Sequence, residues 1–406
     1  MPDPLEDKQI VLGVCGGIAA YKAADFLRLL VKSNANIRVI MTKAAQAFVG
    51  PVTFEALSGH PVWTRMFEGR KNGVLRHIRW ADEADAAVII PATANVIGKM
   101  AHGIADDPLT TLVLALRAPV LVCPSMNVHM FENTVVQDNM DRLRQVGMHV
   151  VGPATGLLAC GHEGAGRLAD LEAIAEQLRR LLTPQDLAGE QVLVTAGPTQ
   201  EAIDPVRFIS NSSSGKMGYA LARVAQRRGA EVVLISGPTT LPDPDGVRAI
   251  RVRTAKEMFD AVMAQAGHST IIIKAAAVSD MRPSKVFQHK VKKAEMGQQW
   301  PMEKTDDILK ALGETKKDQV LVGFAAETQD LEENARAKLT AKNLDLVVAN
   351  LVGRNDSGFG SDTNQVSLYY KDGRSEALAL MHKSDLADLL LDRVLEIKKN
   401  SMPDAG

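Results

Sequence analysis

The sequence predicts an α/β protein made of two doubly wound domains in tandem, and three observations predict it. The chain has 406 residues, which at roughly 100 to 200 residues per domain fits two or three separate cores. Apolar strand-like runs alternate with amphipathic helical stretches, a pattern that implies parallel strands with helices on both faces. The alternation breaks at the polar stretch Thr183-Pro-Gln-Asp-Leu-Ala-Gly-Glu190 and then restarts, which marks a domain boundary. The domains are expected at 1–189 and 190–406.

In the first domain, Gln9 to Val14 reads as a buried strand, Ala19 to Lys32 as an amphipathic helix and Asn36 to Met41 as a second strand. Ala86 to Ile90, Pro119 to Cys123 and Met148 to Val151 follow as strands with helical patterns between them, and a helix runs from Asp170 to about Leu182. In the second, Gln191 to Thr195, Glu231 to Ile235, Ser269 to Ile273, Val320 to Phe324, Leu344 to Val348 and Gln365 to Tyr369 read as strands. Gly218 to Arg228, Leu331 to Lys342 and His382 to Lys398 read as helices. The stretch 284–305 is polar, lysine-rich and without periodicity, so a mobile lid or binding loop is expected there.

Composition narrows the function. Lys plus Arg is 47 and Asp plus Glu 48, a formal net charge of -1, which gives no long-range field for nucleic acid or an anionic membrane. Aromatics are 4% of the chain, too few for a base-stacking surface. The three cysteines, Cys15, Cys123 and Cys160, are far apart and odd in number, which argues against a disulfide framework or a Cys-rich zinc site. The charged start has no apolar h-region, and no uncharged apolar stretch reaches the roughly 18 residues of a membrane span. A cytoplasmic protein with small-molecule partners is expected.

The first strand-to-helix turn contains Gly16, Gly17, Ile18 and Ala19. Small residues here let backbone amides approach an anion at a helix N-terminus, although such a turn also occurs without a ligand. The spacing is not Gly-x-Gly-x-x-Gly, and the second strand ends in Met41-Thr42-Lys43 with no carboxylate to grip a ribose diol. A hydroxyl and an amine there suit a phosphate, which points from NAD towards a mononucleotide such as FMN. Pro91-Ala-Thr-Ala-Asn95 and Pro124-Ser-Met-Asn-Val-His-Met130 follow two strands at the carboxyl edge of the same sheet, where such folds bind ligands. Cys160 sits in a loop with four glycines, a setting for an exposed thiol. His77 has no local feature separating it from a structural histidine.

Taken in order, these segments resemble the flavin-containing cysteine decarboxylases, specifically the phosphopantothenoylcysteine decarboxylase family. The resemblance implies FMN bound by Gly16, Gly17, Ile18, Ala19, Thr42, Thr93 and Asn95, with His77, Asn127 and Cys160 as functional residues. It implies flavin oxidation of the substrate thiol to a thioaldehyde, which accepts the electrons freed with carbon dioxide. Cys160 on a flap would then be the proton donor, Asn127 would hold the substrate carboxylate and His77 would position substrate or move a proton. Cys15 stands where the family usually has Ser or Thr against the FMN phosphate; a thiol is a weaker donor, so weaker FMN binding is expected.

In the second half, Ser210-Asn-Ser-Ser-Ser-Gly-Lys-Met-Gly218 precedes a helix. The upstream Gly of a P-loop is missing, but hydroxyls and amides at a helix start still suit an anion or a serine cap. With Ala196-Gly-Pro-Thr199, Lys274-Ala-Ala-Ala-Val-Ser-Asp280, Gly323-Phe-Ala-Ala-Glu-Thr328 and Gly358-Phe-Gly-Ser-Asp-Thr-Asn364, it resembles the phosphopantothenate–cysteine ligase family. That resemblance implies CTP activation of the 4′-phosphopantothenate carboxylate as an acyl-cytidylate, then displacement of CMP by the cysteine amine. Asn211 would stabilise the activated acyl group, and Lys290 would contact the nucleotide. Ala275, Ala276, Asp280, Asp307, Phe324, Lys338 and Lys342 would line the CTP site, with Mg2+ held through the phosphates. Departures from the family are Lys274, Met281 and Thr305-Asp-Asp-Ile308.

The two resemblances together cover nearly the whole chain. They imply two tandem Rossmann-like domains, a homo-oligomer, and a bifunctional enzyme of coenzyme A synthesis. Two rivals differ in class: an oxidoreductase with two dinucleotide domains, disfavoured by the missing ribose-binding acids, and a non-catalytic flavin-binding regulator, disfavoured by Asn127 and Cys160.

Overall fold

The computed structural model describes residues 3–67, 76–157, 161, 163–291, 300–327, 330–351 and 360–401. The chain divides into two compact units between Pro184 and Gln185, within the polar break in the sequence.

The first unit runs β1 (Gln9–Val14), α1 (Ala20–Lys32), β2 (Asn36–Met41), α2 (Pro51–Ser58), α3 (Arg76–Glu83), β3 (Ala86–Ala92), α4 (Ala94–Ala101), α5 (Pro108–Ala115), β4 (Val120–Pro124), α6 (Val128–Phe131), α7 (Thr134–Gln145), β5 (His149–Val150), β6 (Ala154–Leu157), β7 (Glu163–Arg167) and α8 (Leu171–Leu182). Its five-stranded sheet has the order β2-β1-β3-β4-β5 and is parallel throughout. The order reverses beside β1, and open α/β sheets bind ligands at the carboxyl edge of such a switch point.

Alternation along the strands divides the core between two faces. Ile10, Leu12 and Val14 pack with Phe26, Leu27 and Leu30 of α1 and Ile174 and Leu178 of α8. Val11 and Cys15 face the other way, with Ile97 of α4, Leu109 and Leu112 of α5, and Met140 and Leu143 of α7. Asp107 opens α5 with a capping box to Thr110, and Asn133 and Asp170 cap α7 and α8; these side chains satisfy amides that the first helical turn leaves unpaired. The segment β6 pairs antiparallel with β7 as a separate hairpin.

The second unit runs β8 (Gln191–Ala196), β9 (Gln200–Ala202), β10 (Phe208–Ser210), α9 (Lys216–Arg227), β11 (Glu231–Ser236), β12 (Arg248–Arg251), α10 (Ala255–Ala266), β13 (Ile271–Lys274), β14 (Met281–Pro283), β15 (Met302–Lys304), α11 (Ile308–Thr315), β16 (Val320–Glu327), α12 (Leu331–Ala341), β17 (Leu346–Leu351), β18 (Thr363–Asn364), β19 (Val366–Tyr370), β20 (Ser375–Ala377), β21 (Met381–His382) and α13 (Lys383–Ser401). Its main sheet has the order β12-β11-β8-β13-β16-β17-β19-β20. The strands from β12 to β17 are parallel, while β19 and β20 join antiparallel. Helices α9 and α13 cover one face with Val192, Val194, Ile271 and Ile273. Helices α10, α11 and α12 cover the other with Leu193, Ile272 and Leu321.

The polar linker is held by charge. Leu187 donates its N–H to the Arg228 carbonyl and is buried. The buried Arg228 guanidinium meets Asp186 at 2.7 Å, Asp388 at 2.8 Å and Asp392 at 2.7 Å. A buried charge is tolerated only when paired and hydrogen-bonded, and three carboxylates from two segments provide that here.

The stretch 284–305, expected as a mobile lid or binding loop, is tied down at both ends. Strand β14 pairs with β15, Ser284 donates to the Pro301 carbonyl at 3.0 Å, and Phe287 donates to the Ile203 carbonyl at 2.9 Å. The Phe287 and Trp300 rings meet edge to face with centroids 6.0 Å apart. Residues 292–299, including Lys292 and Lys293, lie outside the described residues. Among the described residues no helix is long and apolar enough to cross a membrane, and no three His, Cys, Asp or Glu are grouped to hold a metal ion.

Candidate functional site

A cavity of about 890 Å³ opens at the carboxyl edge of the first sheet. All seven residues assigned to FMN line it: Gly16, Gly17, Ile18, Ala19, Thr42, Thr93 and Asn95. They come from the loops after β1, β2 and β3. Gly16 has no room for a side chain, since a Cβ there would lie 2.4 Å from that of Ala44. Helix α1 begins at Ala19 with no side-chain cap and no acidic residue in its first turn. The Ala20 N–H donates to the Gly17 carbonyl at 2.9 Å and the Lys22 N–H to the Ala19 carbonyl at 3.0 Å, so no side chain competes with an anion for the positive end of the helix. Lys22 and Lys43 line the same cavity, and their amines have no ion pair or hydrogen bond among the described residues. Thr42 is buried, its hydroxyl accepting from the Ala45 N–H at 3.2 Å, and Thr93 caps α4.

Asn127 lines the cavity from the loop after β4; its Oδ1 accepts from the His129 N–H at 2.9 Å, fixing the side chain at the start of α6. The hairpin β6–β7 lies on this loop, with the Met126 N–H donating to the Gly166 carbonyl at 3.0 Å. Gly166, at φ +154°, lies so close that a Cβ would stand 2.3 Å from the Met126 carbonyl oxygen. The hairpin contributes Leu157, Gly166 and Arg167 to the cavity. Cys160, between its strands, lies outside the described residues. His77 sits on the first turn of α3 and is not among the residues lining this cavity.

Cys15 departs from expectation. It is fully buried in the cluster with Val11, Ile89 and Trp63, on the side of the sheet that its parity with Val11 dictates, and it does not line the cavity. Burial pushes its thiol up to about 12, against an opposing hydrogen bond from the Thr93 N–H. Sequence reasoning missed Tyr21, Lys22, Ser125 and Arg167 as cavity residues. Tyr21 and Lys22 follow directly on the Gly-rich turn and were the legible ones.

In the second unit the candidate residues gather at the carboxyl ends of β13 and β16. The loop after β13 is stitched on three sides. The Ala276 N–H donates to Thr195 Oγ1 at 3.1 Å, Asn211 Nδ2 donates to the Ala277 carbonyl at 3.0 Å, and the Thr305 N–H donates to the Asp280 carbonyl at 3.0 Å. Asp307 caps α11 and pairs with Lys342 at 2.9 Å. Burial acts to raise its carboxyl, but the hydrogen bonds it accepts from the Lys342 amine and from the Lys310 N–H outweigh that and lower it. Lys338 donates to the Phe324 carbonyl at 2.8 Å. Helix α9 starts at Gly215 without a side-chain cap, so the serines before it do not cap it.

Lys290 is exposed. Its neighbour Val291 is clamped: the Val291 N–H donates to Asp204 Oδ2 at 3.3 Å, and Arg207 Nη2 donates to the Val291 carbonyl at 3.0 Å. Asp204 is buried, and the Arg207 guanidinium beside it holds its carboxyl well below the usual carboxylate range against the opposing effect of burial.

The two units match two family models, one described as Flavoprotein over residues 1–183 and one as the DNA/pantothenate metabolism flavoprotein C-terminal domain over residues 187–397. The chain is 49% identical over 401 residues to the coenzyme A biosynthesis bifunctional protein CoaBC of Bacillus subtilis, covering 98% of this chain and 99% of that one. It is 43% identical to the protein of that name from Escherichia coli K12, covering 96% and 97%. The solved C-terminal domain of a protein of that name is 43% identical, spans 52% of this chain and 97% of its own, and superposes with a TM-score of 0.46. The chain belongs to the family of bifunctional coenzyme A biosynthesis proteins and is an enzyme with a flavoprotein decarboxylase domain followed by a ligase domain.

Proposed function

We propose that the second domain joins cysteine to 4′-phosphopantothenate at the expense of CTP, and that the first, holding FMN, decarboxylates the product to 4′-phosphopantetheine, in the cytoplasm. The observation that carries the first half is the cavity at the carboxyl edge of β1, β3 and β4. Its volume suits a mononucleotide, and the start of α1, with no side-chain cap, suits a phosphate together with Lys22 and Lys43.

Bound there, FMN supplies a reversible acceptor for the electron pair that the cysteine end gives up around the loss of carbon dioxide, so the overall reaction is redox-neutral. The chain's own residues do the rest. Asn127, fixed by its bond to the His129 N–H, offers neutral hydrogen bonds to the substrate carboxylate without stabilising it against departure. Cys160 donates the proton to the carbon that has lost its carboxyl group, and His77 positions substrate or moves that proton. Apolar side chains exposed at the cavity, Ile18, Tyr21, Met130 and Leu157, support a homo-oligomer with flavin sites near subunit contacts.

In the second half, Asn211 steadies the acyl group while the cysteine amine displaces CMP, and Lys290 meets the nucleotide. Ala275, Ala276, Asp280, Asp307, Phe324, Lys338 and Lys342 form the CTP pocket, with Mg2+ carried on the phosphates. Amines beside a strand-end carboxyl edge support this reading.

A single incubation with CTP, cysteine and 4′-phosphopantothenate tests both halves. Full-length protein should release pyrophosphate only when 4′-phosphopantothenate is present, and carbon dioxide only when cysteine is present too. Cys160→Ser should abolish formation of 4′-phosphopantetheine and leave pyrophosphate release intact. Loss of both would contradict separate sites.

A further inference from the structure

Lys274 ends β13, one residue before the loop assigned to the nucleotide. Alternation along β13 decides which way it faces. Ile271 and Ile273 pack with α9 and α13, while Ile272 packs with the cluster under α10, α11 and α12. Lys274 shares the parity of Ile272 and so belongs to the face that carries Asp307 at the start of α11 and Lys338 and Lys342 at the end of α12. In the sheet it lies opposite Thr195 of β8 and Gly323 of β16, neither of which is charged.

We propose that Lys274 is a third amine of the nucleotide site, joining Lys338 and Lys342 in holding the phosphates of the CTP that the ligase half consumes. The inference rests on the ligase reading and adds a residue that stands outside the family pattern.

Charge and partners carry the argument. The cluster has three amines (Lys274, Lys338 and Lys342) against two carboxylates, Asp280 and Asp307. Asp307 is engaged by Lys342 at 2.9 Å, and Lys338 has the Phe324 carbonyl at 2.8 Å. Lys274, half-buried, has neither an ion pair nor a hydrogen bond among the described residues. A lysine whose only task was to cover the end of the sheet would gain by turning its amine away from like charge. This one is held where burial, then Lys338 and then Lys342 oppose its charge, with Asp280 and Asp307 acting the other way, and its pKa falls to about 8. An anion entering between the three amines removes that repulsion, and a triphosphate has the charge to do so.

Burial and the neighbouring amines favour the neutral form of Lys274, and a bound polyanion favours the charged form, so CTP binding at mildly alkaline pH draws a proton onto this amine. The test is calorimetric titration of CTP into the full-length protein at pH 8, in two buffers of different ionisation enthalpy. Three chains are compared: the wild type, Lys274→Met and Lys274→Arg. Lys274→Met should bind CTP about ten-fold more weakly and take up no proton. Lys274→Arg should keep most of the affinity yet also take up no proton, because a guanidinium is always charged.

Melting without nucleotide guards against misfolding. Lys274→Met should melt no lower than the wild type, since it removes a repelled charge, and its CTP-induced rise in Tm should shrink. Equal CTP affinity and equal proton uptake in wild type and Lys274→Met overturns the assignment while leaving the ligase reading in place. A wild-type chain that binds no CTP overturns the ligase reading and this inference with it.

Discussion

The thiol of Cys15 and the amide of Asn127 both follow strands of the first sheet, yet one is sealed in a core and the other faces a cavity. The parity of β1 turns Cys15 towards α4 and α5, whereas Asn127 stands clear of β4 and is fixed by capping α6. This has a chemical consequence. Burial takes the Cys15 thiol up to about 12 and raises that of Cys123 as well, and the thiolate is the reactive species. Near neutral pH the Cys15 thiol therefore stays protonated. Iodoacetamide labelling of the native protein, read by peptide mass spectrometry, should leave Cys15 and Cys123 unmodified until the chain is unfolded. Rapid native alkylation of Cys15 would mean that its thiol faces the cavity after all. For the same reason the identity of residue 15 should have little direct effect on FMN affinity, contrary to what the family pattern alone implies.

At the scale of elements, the hairpin β6–β7 supplies Leu157, Gly166 and Arg167 to the lining of the cavity before α1. It lies against the Met126–Val128 loop through backbone contact, and Gly166 makes that approach possible. Gly166→Ala would place a methyl group within 2.3 Å of the Met126 carbonyl oxygen and at a φ of +154°, so the hairpin must move by roughly 1 Å. A shift of that size in positioned groups costs on the order of a hundred-fold in rate. Decarboxylation by Gly166→Ala should fall by about that factor while CTP-dependent ligation stays within about two-fold of wild type. Unchanged decarboxylation would show that the hairpin does not set the geometry of the site. This hairpin was not readable in the sequence: Ala-Thr-Gly-Leu and Glu-Gly-Ala-Gly-Arg have no alternation of apolar and polar residues. By contrast β1, β3 and β8 are buried on both faces and read as continuous apolar runs. Strand β19 was legible as a strand, but its antiparallel pairing with β17 was not, because a strand's composition does not record its direction. The pairing of β14 with β15 spans a long insertion and left no local trace.

At the scale of the whole molecule, two units each place candidate site residues at the carboxyl edge of a parallel sheet. That explains why the motif residues were readable and their company was not. Gly16, Gly17, Thr42, Thr93 and Asn95 follow strands, so a strand-by-strand reading finds them. The convergence of Lys274 with Lys338 and Lys342 joins positions more than sixty residues apart and needs the sheet order. His77 and Cys160, known only through resemblance, gained nothing from the first unit's described geometry. Decarboxylation by the first unit requires a flavin in the cavity before α1. The visible absorption spectrum of the full-length protein, recorded after reconstitution with FMN and gel filtration, tests this most directly. The flavin band should travel with the protein at close to one equivalent per chain. A colourless protein peak, with all the FMN eluting as free small molecule, would contradict it.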